Sequence, residues 1–302
     1  MATFAAGFVT RFAPSPTGFL HVGHAFSALT AFRAAEAAGG RFLLRIEDID
    51  LGRCRPEFEA AIYEDLEWLG IEWEKPVRRQ SEHFDDYARA LQSLIDKGLV
   101  YRCFKTRKEI LDDIARAPHL PASGPEGQPL VGAALAAHEE RSLLAQGAPF
   151  AWRLSLAAAR ATLGARFDEL SLAVEDVDAH ALRKMPATPA LFGDAVIGRK
   201  DSGTSYHLAS VHDDALQGVT HVIRGEDLAA AAHLHRLLQE LLDLPAPVYR
   251  HHRLVTDETG RRLAKRDRAA TLKSLRERGL SPRDIPALRD SFGSPAERGR
   301  RG

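Results

Sequence analysis

The order of strand-like and helix-like segments predicts an α/β fold built on a doubly wound parallel sheet. The first hundred residues alternate strand, helix and strand, and a similar alternation resumes after residue 187. The stretch between them is rich in proline and alanine, and we interpret it as an inserted α/β subdomain. Ligands of such sheets bind beyond the carboxyl ends of the strands. The loops that follow the predicted strands are therefore the first place to look for function.

The first half has clear boundary signals. Gly39 and Gly40 end the first helical run, and Pro56 stands where a later helix would begin. Apolar residues then recur at helical spacing from Phe58 to Leu69. The predicted elements are a strand at 8–13, a helix at 25–38, a strand at 41–46, a helix from Pro56 and a helix at 85–97.

The second half is predicted from shorter signals. A turn at 201–203 separates two strand-like runs, and a glycine and two acids at 225–227 open a helical run. The predicted elements are an insertion helix at 132–146, strands at 190–199, 205–212, 220–224 and 248–256, and a helix at 228–242. We divide the chain into a first catalytic half at 1–100, an insertion at 101–186, a second catalytic half at 187–256 and a short helical C-terminal segment at 257–302.

Composition excludes several classes of protein. No apolar run is long enough to cross a membrane, and the first residues lack the pattern of an export signal. Two cysteines in 302 residues argue against a disulfide framework. We therefore expect a cytoplasmic protein, and nothing in the sequence demands an oligomer, so we expect a monomer. The chain is neutral overall, but residues 261–302 hold 13 Lys or Arg against 5 Asp or Glu. This basic end is a candidate contact for a polyanion, although it could equally be a solvated surface.

Two histidines at a predicted strand-to-helix junction are the main chemical signal. Residues 21–24 (HVGH) precede the first helix, and a helix start offers free N–H groups and partial positive charge to phosphate. His21 and His24 add donors that can follow charge developing on a phosphoryl group. Gly23 would allow a nucleotide to approach the backbone. A metal pair is the alternative, but further zinc ligands are not evident.

Five ordered motifs give the chain a resemblance to class I glutamyl-tRNA synthetases, whose catalytic domain has a Rossmann-like fold. They are residues 11–18 (RFAPSPTG), 21–24 (HVGH), 45–50 (RIEDID), 222–228 (VIRGEDL) and 262–266 (RLAKR). The resemblance implies that His21, His24 and Lys265 are catalytic and stabilise the phosphates of ATP. It adds Gly23, Asp227 and Arg262 to the ATP site. Two departures from the signature loop, Arg262 for a lysine and Ala264 for a serine, bear on loop dynamics.

The same resemblance implies a pocket for glutamate. Guanidinium groups suit its carboxylate, and Glu47 would accept from its α-ammonium group. Structural ion pairs of the arginines with Glu47, Asp48 or Asp227 are the alternative. The implied pocket residues are Arg11, Ala13, Ser15, Glu47, Tyr206 and Arg224.

The cofactors are expected to be ATP, as substrate, with Mg²⁺ on its phosphates. Relatives often carry a zinc site after the first catalytic half. Here Cys103 is followed by Lys105 at the second ligand position, and no later cysteine occurs. We therefore predict that the zinc site is lost and that no metal is bound by the chain itself.

The short sequence after the signature loop distinguishes the subtype. It leaves no room for the helical anticodon-binding domains of a full glutamyl-tRNA synthetase. This shorter architecture resembles the truncated family of glutamyl-Q tRNA(Asp) synthetases. That family implies tRNA-independent activation of L-glutamate and its transfer to the queuosine base in the anticodon loop of tRNA(Asp). The alternatives are a truncated glutamyl-tRNA synthetase that charges a tRNA 3′ end, a nucleotidyltransferase acting on a small carboxylate, and a non-catalytic tRNA-binding paralogue.

Overall fold

The computed structural model describes residues 7–106, 109, 132, 134–176, 181–255 and 270–289. The strands are β1 Val9–Phe12, β2 Arg41–Ile46, β3 Glu74–Arg79, β4 Val100–Cys103, β5 Ala151–Leu154, β6 Ser171–Glu175, β7 Leu182–Pro186, β8 Val196–Gly198, β9 His221–Gly225 and β10 Val248–His252. The α-helices are α1 Val22–Ala37, α2 Pro56–Trp68, α3 Phe84–Asp96, α4 Ala137–Ala145, α5 Leu156–Leu163, α6 Arg166–Glu169, α7 Tyr206–Leu216, α8 Ala231–Leu241, α9 Leu272–Glu277 and α10 Pro286–Arg289. Short 3₁₀ helices lie at Gln80–Glu82, Pro189–Phe192, Glu226–Leu228 and Pro282–Asp284.

The first sheet is parallel and has the order β1-β2-β3. Helix α1 connects β1 to β2 and packs its small residues, such as Ala25, Ala28 and Leu29, into the same buried core as Phe12 and Leu44. The β-α-β arrangement predicted for this half is confirmed, and β2 has the predicted bounds. Helix α1 begins three residues earlier than predicted.

The second sheet has the order β7-β6-β10-β9, with β10 parallel to both β6 and β9. Only its edge strand β7 runs antiparallel. The two sheets meet where the backbone N–H of Thr220 donates to the carbonyl of Val9 at 2.9 Å. The strands β1 and β9 are thus neighbours, and the loops after them face the same crevice. The predicted α/β class with parallel sheets is confirmed.

A third sheet is antiparallel and has the order β4-β5-β8. Its strand β8 comes from the predicted second catalytic half, whereas β6 and β7, from the predicted insertion, pair within the second parallel sheet. Strand pairing therefore crosses the boundary placed at residue 186. The division into domains remains a prediction.

The predicted strand at 205–212 is wrong, because residues 206–212 belong to helix α7 and Ser205 is its N-cap. The hydroxyl of Ser205 accepts from the backbone N–H of Leu208 at 3.4 Å and caps α7. Seven of the eleven residues of α7 are buried, and four of these are polar or charged, so the sequence lacks the one-sided apolar pattern of a surface helix. The predicted strand at 190–199 shortens to β8, because residues 189–192 form a 3₁₀ helix. Among the residues that the structure describes, no helix has the length and apolar character needed to cross a bilayer.

Candidate active site

A cavity of about 440 Å³ opens at the carboxyl ends of β1, β2, β9 and β10. Every described residue predicted for the glutamate and ATP sites lines it: Arg11, Ala13, Ser15, His21, Gly23, His24, Glu47, Tyr206, Arg224 and Asp227. Arg262 and Lys265 lie outside the described residues. The cavity walls also include residues that the sequence did not indicate, among them Phe12, Thr17, Ser27, Ile223, His252 and Leu254.

The two histidines of the HVGH segment cap helix α1 reciprocally. His21 is the N-cap residue, and its Nδ1 accepts from the backbone N–H of Gly23 at 3.1 Å. The Nδ1 of His24 accepts from the backbone N–H of His21 at 3.1 Å. Because both Nδ1 atoms are acceptors, the proton of each neutral ring resides on Nε2. The capping geometry therefore fixes the tautomer in which Nε2 is the donor of each imidazole.

Gly23 makes this arrangement possible. A Cβ at Gly23 would lie 3.0 Å from Cε1 and 3.1 Å from Nδ1 of His21. With a larger residue, the His21 ring would have to shift by a few tenths of an ångström within its capping position. The sequence suggested that Gly23 makes room for a nucleotide, and the structure shows that it makes room for the neighbouring imidazole.

Arg11 on β1, which was predicted to bind glutamate, is hydrogen-bonded to an acid on α7. Arg11 donates from Nε to Oδ1 of Asp214 at 2.9 Å and from Nη2 to Oδ2 at 3.2 Å. Both side chains are almost completely buried. The ion-pair alternative considered for Arg11 named other acids, and none of those accepts the hydrogen bonds described here. Asp214 could not be found from the sequence, because its partner lies 203 residues away.

Glu47 lies at the end of β2 and is tied to the loop that follows β1. Its backbone N–H donates to the carbonyl of Pro14 at 3.0 Å, and its Oε1 accepts from Nη2 of Arg45 at 3.0 Å. Burial raises the pKa of Glu47, and the nearby cations Arg45 and Arg11 offset this only in part. The carboxylate of Glu47 is therefore under-compensated, and a further cation in the cavity would stabilise it.

Arg224, at the end of β9, presents unused hydrogen-bonding capacity. Its Nη1 donates to the hydroxyl of Tyr206 at 3.2 Å, and its Nε donates to Nε2 of His251 at 3.4 Å. Arg224 is only 4% exposed, and within the described part of the chain its buried Nη2 has no hydrogen-bond partner. A buried guanidinium nitrogen without an acceptor is costly. This wall of the cavity is therefore suited to an anionic ligand.

Two histidines near Arg224, His251 and His235, have lowered pKa values and are therefore neutral near pH 7. Burial, followed by the charge of Arg224, lowers the pKa of His251 to about 3 and that of His235 well below its ordinary value. On the other side of the cavity, Nε2 of His252 lies 3.1 Å from the hydroxyl of Ser27 on α1. These polar groups were missed because a lone histidine or serine near the end of a strand or inside a helix carries no distinctive signal.

The stretch that contains Arg262 and Lys265 is flanked on both sides by residues of this site. Before it, Leu254 and Val255 line the cavity. After it, Thr271 pairs with His21 in an antiparallel bridge, and the N–H of Leu272 donates to the carbonyl of Leu20 at 2.8 Å. Helix α9 is fixed below by Arg276, whose Nε donates to the buried Asp65 at 2.9 Å.

The loss of a zinc site after the first catalytic half stays a prediction. Cys103 is buried at the end of β4, and the other cysteine, Cys54, lies in a loop after β2. Across the described ranges, no three or more His, Cys, Asp or Glu side chains are grouped as metal ligands would be. The chain carries one thiol at this place, and one thiolate cannot form a closed tetrahedral zinc site.

Comparison with known families decides the assignment that this geometry suggests. The family described as tRNA synthetases class I (E and Q), catalytic domain, matches residues 8–297. This chain belongs to that family. The glutamyl-Q tRNA(Asp) synthetase of Rhodobacter capsulatus is 49% identical over 93% of this chain and 99% of its own length. The glutamate–tRNA ligase 2 of a Ruegeria species is 38% identical over 94% of this chain and 61% of its own length.

Solved structures of class I synthetases share the fold. The glutamate tRNA ligase of Elizabethkingia meningosepticum, crystallised with its amino acid, has a TM-score of 0.67 and 30% identity over 86% of this chain. The glutamate–tRNA synthetase of Elizabethkingia anophelis gives the same TM-score and identity. The chain spans about half of the length of these two proteins, 52% and 53%.

Proposed function

We propose that this class I synthetase activates L-glutamate with ATP, without a tRNA, and transfers the glutamyl group to the queuosine base of tRNA(Asp). The observation that carries the amino-acid assignment is Arg224, a buried guanidinium that lines the cavity and whose Nη2 has no hydrogen-bond partner among the described residues. A carboxylate is the ligand that a guanidinium binds best. The choice of acceptor is supported by the relative from R. capsulatus, which matches along 99% of its length.

In the first step, an oxygen of the glutamate α-carboxylate attacks the α-phosphorus of ATP, and the bond to pyrophosphate breaks. His21 and His24 donate from Nε2 toward the phosphates, and the N-terminal end of α1 adds its partial positive charge. Gly23 and Asp227 belong to the same ATP site. Lys265 pairs with the leaving pyrophosphate, and Arg262 belongs to the same ATP site. Mg²⁺ enters with ATP and neutralises phosphate charge.

The amino-acid end of the cavity orients the substrate for this attack. Arg224 and Arg11 receive the side-chain carboxylate of glutamate, and Tyr206 steadies Arg224. Glu47 accepts from the α-ammonium group, which supplies the cation that its buried carboxylate lacks. Ala13 and Ser15 form the adjoining wall. In the second step, a nucleophile on the queuosine base attacks the activated carbonyl, and AMP leaves.

Two assays test the proposal. Glutamate-dependent exchange of pyrophosphate into ATP, measured without RNA, reports activation. Transfer of labelled glutamate is then compared on tRNA(Asp) with queuosine, tRNA(Asp) with guanosine in its place, and queuosine tRNA(Asp) lacking its 3′-terminal adenosine. We expect transfer to the first and third substrates only. Exchange that requires tRNA(Glu), or charging that depends on the 3′ end, would instead support a glutamyl-tRNA synthetase. We also propose that the protein is a cytoplasmic monomer. Sedimentation of the purified protein checks the monomeric state.

A further inference from the structure

A buried group of charges lies directly beneath the amino-acid end of the cavity. Its acids, Asp213 and Asp214, come from α7, and its bases come from the first sheet. Arg45 is completely buried and contacts acids on both sides. Neither Arg45 nor Asp214 lines the cavity, although Arg11 and Glu47 do. The group therefore supports the walls of the site from behind.

The contacts form a continuous chain of four charges. Arg11 pairs with Asp214 through two hydrogen bonds, of 2.9 and 3.2 Å. Asp214 Oδ1 also accepts from Nη1 of Arg45 at 2.8 Å. Arg45 then donates from Nη2 to Glu47 at 3.0 Å. Two bases and two acids alternate, so the chain is neutral, and its two ends are cavity residues.

We propose that Asp214 is a positioning residue for amino-acid recognition, which sets the Arg11 guanidinium directly and the Glu47 carboxylate through Arg45. The inference rests on the proposed function, in which Arg11 and Glu47 contact glutamate. Asp214 can fix Arg11 because its two oxygens engage Nε and Nη2 of the same guanidinium, a geometry that allows little rotation. Nη1 is the nitrogen of Arg11 that this pair does not use.

The electrostatics of the group agree with this role. Burial alone would raise the pKa of Asp214, but Arg11 and Arg45 outweigh burial and lower it. Asp214 is thus ionised whenever the protein is folded near neutral pH. One ionised acid between two arginines keeps both guanidinium groups from repelling each other, since the three side chains lie in a water-poor interior.

The substitution Asp214→Asn tests the inference with little change in size. Asparagine retains one acceptor and loses the charge, so Arg11 loses one of its two bonds, while Arg45 keeps its hydrogen bond to Glu47. Because small displacements of a positioning group are costly, we expect the KM for glutamate to rise roughly 10- to 100-fold. The KM for ATP should change less than about 3-fold, since the ATP end of the cavity is held by α1.

The neighbouring acid provides a matched control. Asp213 is equally buried, but it accepts from Arg78, Gln80 and Tyr87 and contacts neither cavity residue. Its distance to Nε of Arg45 is 3.9 Å. Asp213→Asn should lower the free energy of unfolding and leave the KM for glutamate nearly unchanged. A purely structural role for Asp214 would give the same result for both variants.

A milder variant keeps the inference testable if Asp214→Asn does not fold. Gln217 is half-buried and accepts from Nη1 of Arg45 at 3.1 Å, at the edge of the group. Gln217→Ala should raise the KM for glutamate roughly 2- to 5-fold, with the KM for ATP unchanged. Equal KM shifts for glutamate and ATP, or none for glutamate, in the variants that fold would overturn the inference. Failure of wild-type protein to exchange pyrophosphate with glutamate would refute the proposed function instead.

Discussion

Replacing His21 by asparagine would separate the two tasks that this residue combines. As the N-cap of α1, its Nδ1 accepts from the backbone N–H of Gly23 at 3.1 Å. As a proposed catalytic group, its Nε2 donates to a phosphate of ATP. The side-chain oxygen of asparagine accepts at an N-cap as well as any residue does, but it offers no imidazole donor. Alanine removes both functions.

The magnitudes follow from this division. Loss of an N-cap acceptor costs about 1 kcal/mol, so His21→Ala should lower the melting temperature by about 1.5–2 °C. His21→Asn should stay within about 0.5 kcal/mol of the wild type. Loss of one donor to developing charge costs roughly 10²- to 10³-fold in rate, and both variants should lose activation to this extent.

The assay pairs urea unfolding with glutamate-dependent pyrophosphate exchange. His24→Gln is the companion variant, because glutamine at the third helical position still accepts from the N-cap backbone while lacking the imidazole. Full exchange activity in His21→Asn would refute the catalytic role of His21. A loss of stability in His21→Asn as large as in His21→Ala would refute the capping argument.

Three further outcomes are expected. Lys265→Ala should slow the exchange roughly 100-fold and leave glutamate affinity by calorimetry within about 3-fold, whereas weaker glutamate binding would place this lysine elsewhere. Because burial lowers the folded-state pKa of His251 from 6.5 to about 3, its contribution to stability is present above pH 6.5 and declines as the pH falls. Between pH 8 and pH 5, the difference in the pKa of His251 between the folded and unfolded states should lower the free energy of unfolding, measured in urea, by about 2 kcal/mol. The substitution His251→Gln should flatten this dependence of stability on pH. Arg276→Ala should cost about 3 kcal/mol at pH 8 by leaving the buried carboxylate of Asp65 unpaired. Burial raises the pKa of Asp65 from 3.8 to about 6, so the stability that this acid contributes is present below pH 3.8 and is lost as the pH rises through 6. The stability lost in Arg276→Ala should therefore be smaller at pH 5 than at pH 8. An equal loss at both pH values would contradict the pairing of Arg276 with Asp65.

The first half of the fold was predictable because its signals are local. Gly39 and Gly40 mark the end of α1, and the apolar run of β2 has the bounds that the structure gives it. The start of α1 was placed too late because histidine is not among the usual N-cap residues, so His21 gave no helix-start signal.

Helix α7 shows where local reasoning ends. Its residues His207, Ser210, Asp213 and Asp214 are buried polar groups that bind partners on other elements. Pattern analysis assumes that polar residues face solvent, and this helix violates the assumption because the charged group beneath the cavity requires it. The same circumstance hid Asp214, whose importance is visible only once the distant Arg11 is beside it.

The candidate site was predicted from motifs, and its supports were not. Nine of the ten described residues came from recognisable motifs, Tyr206 came from the family resemblance alone, and all ten line one cavity. Ser27, His252 and Arg45 stabilise or extend that cavity through contacts between segments far apart in sequence, such as the 225 residues between Ser27 and His252. Such contacts leave no trace in the spacing of residues along one chain.

The separation between Arg11 and Asp214 bears on how the protein is made. Residue 11 leaves the ribosome early, yet its carboxylate partner is translated 203 residues later. Until α7 has been synthesised and packed, the guanidinium of Arg11 lacks Asp214, and that of Arg45 has Glu47 but not Asp214. In a nascent chain that ends before residue 214, the side chains of Arg11 and Arg45 therefore have to stay hydrated. The proposed amino-acid site is complete only after translation has passed this helix, so binding of glutamate at that site would stabilise only chains that are nearly finished.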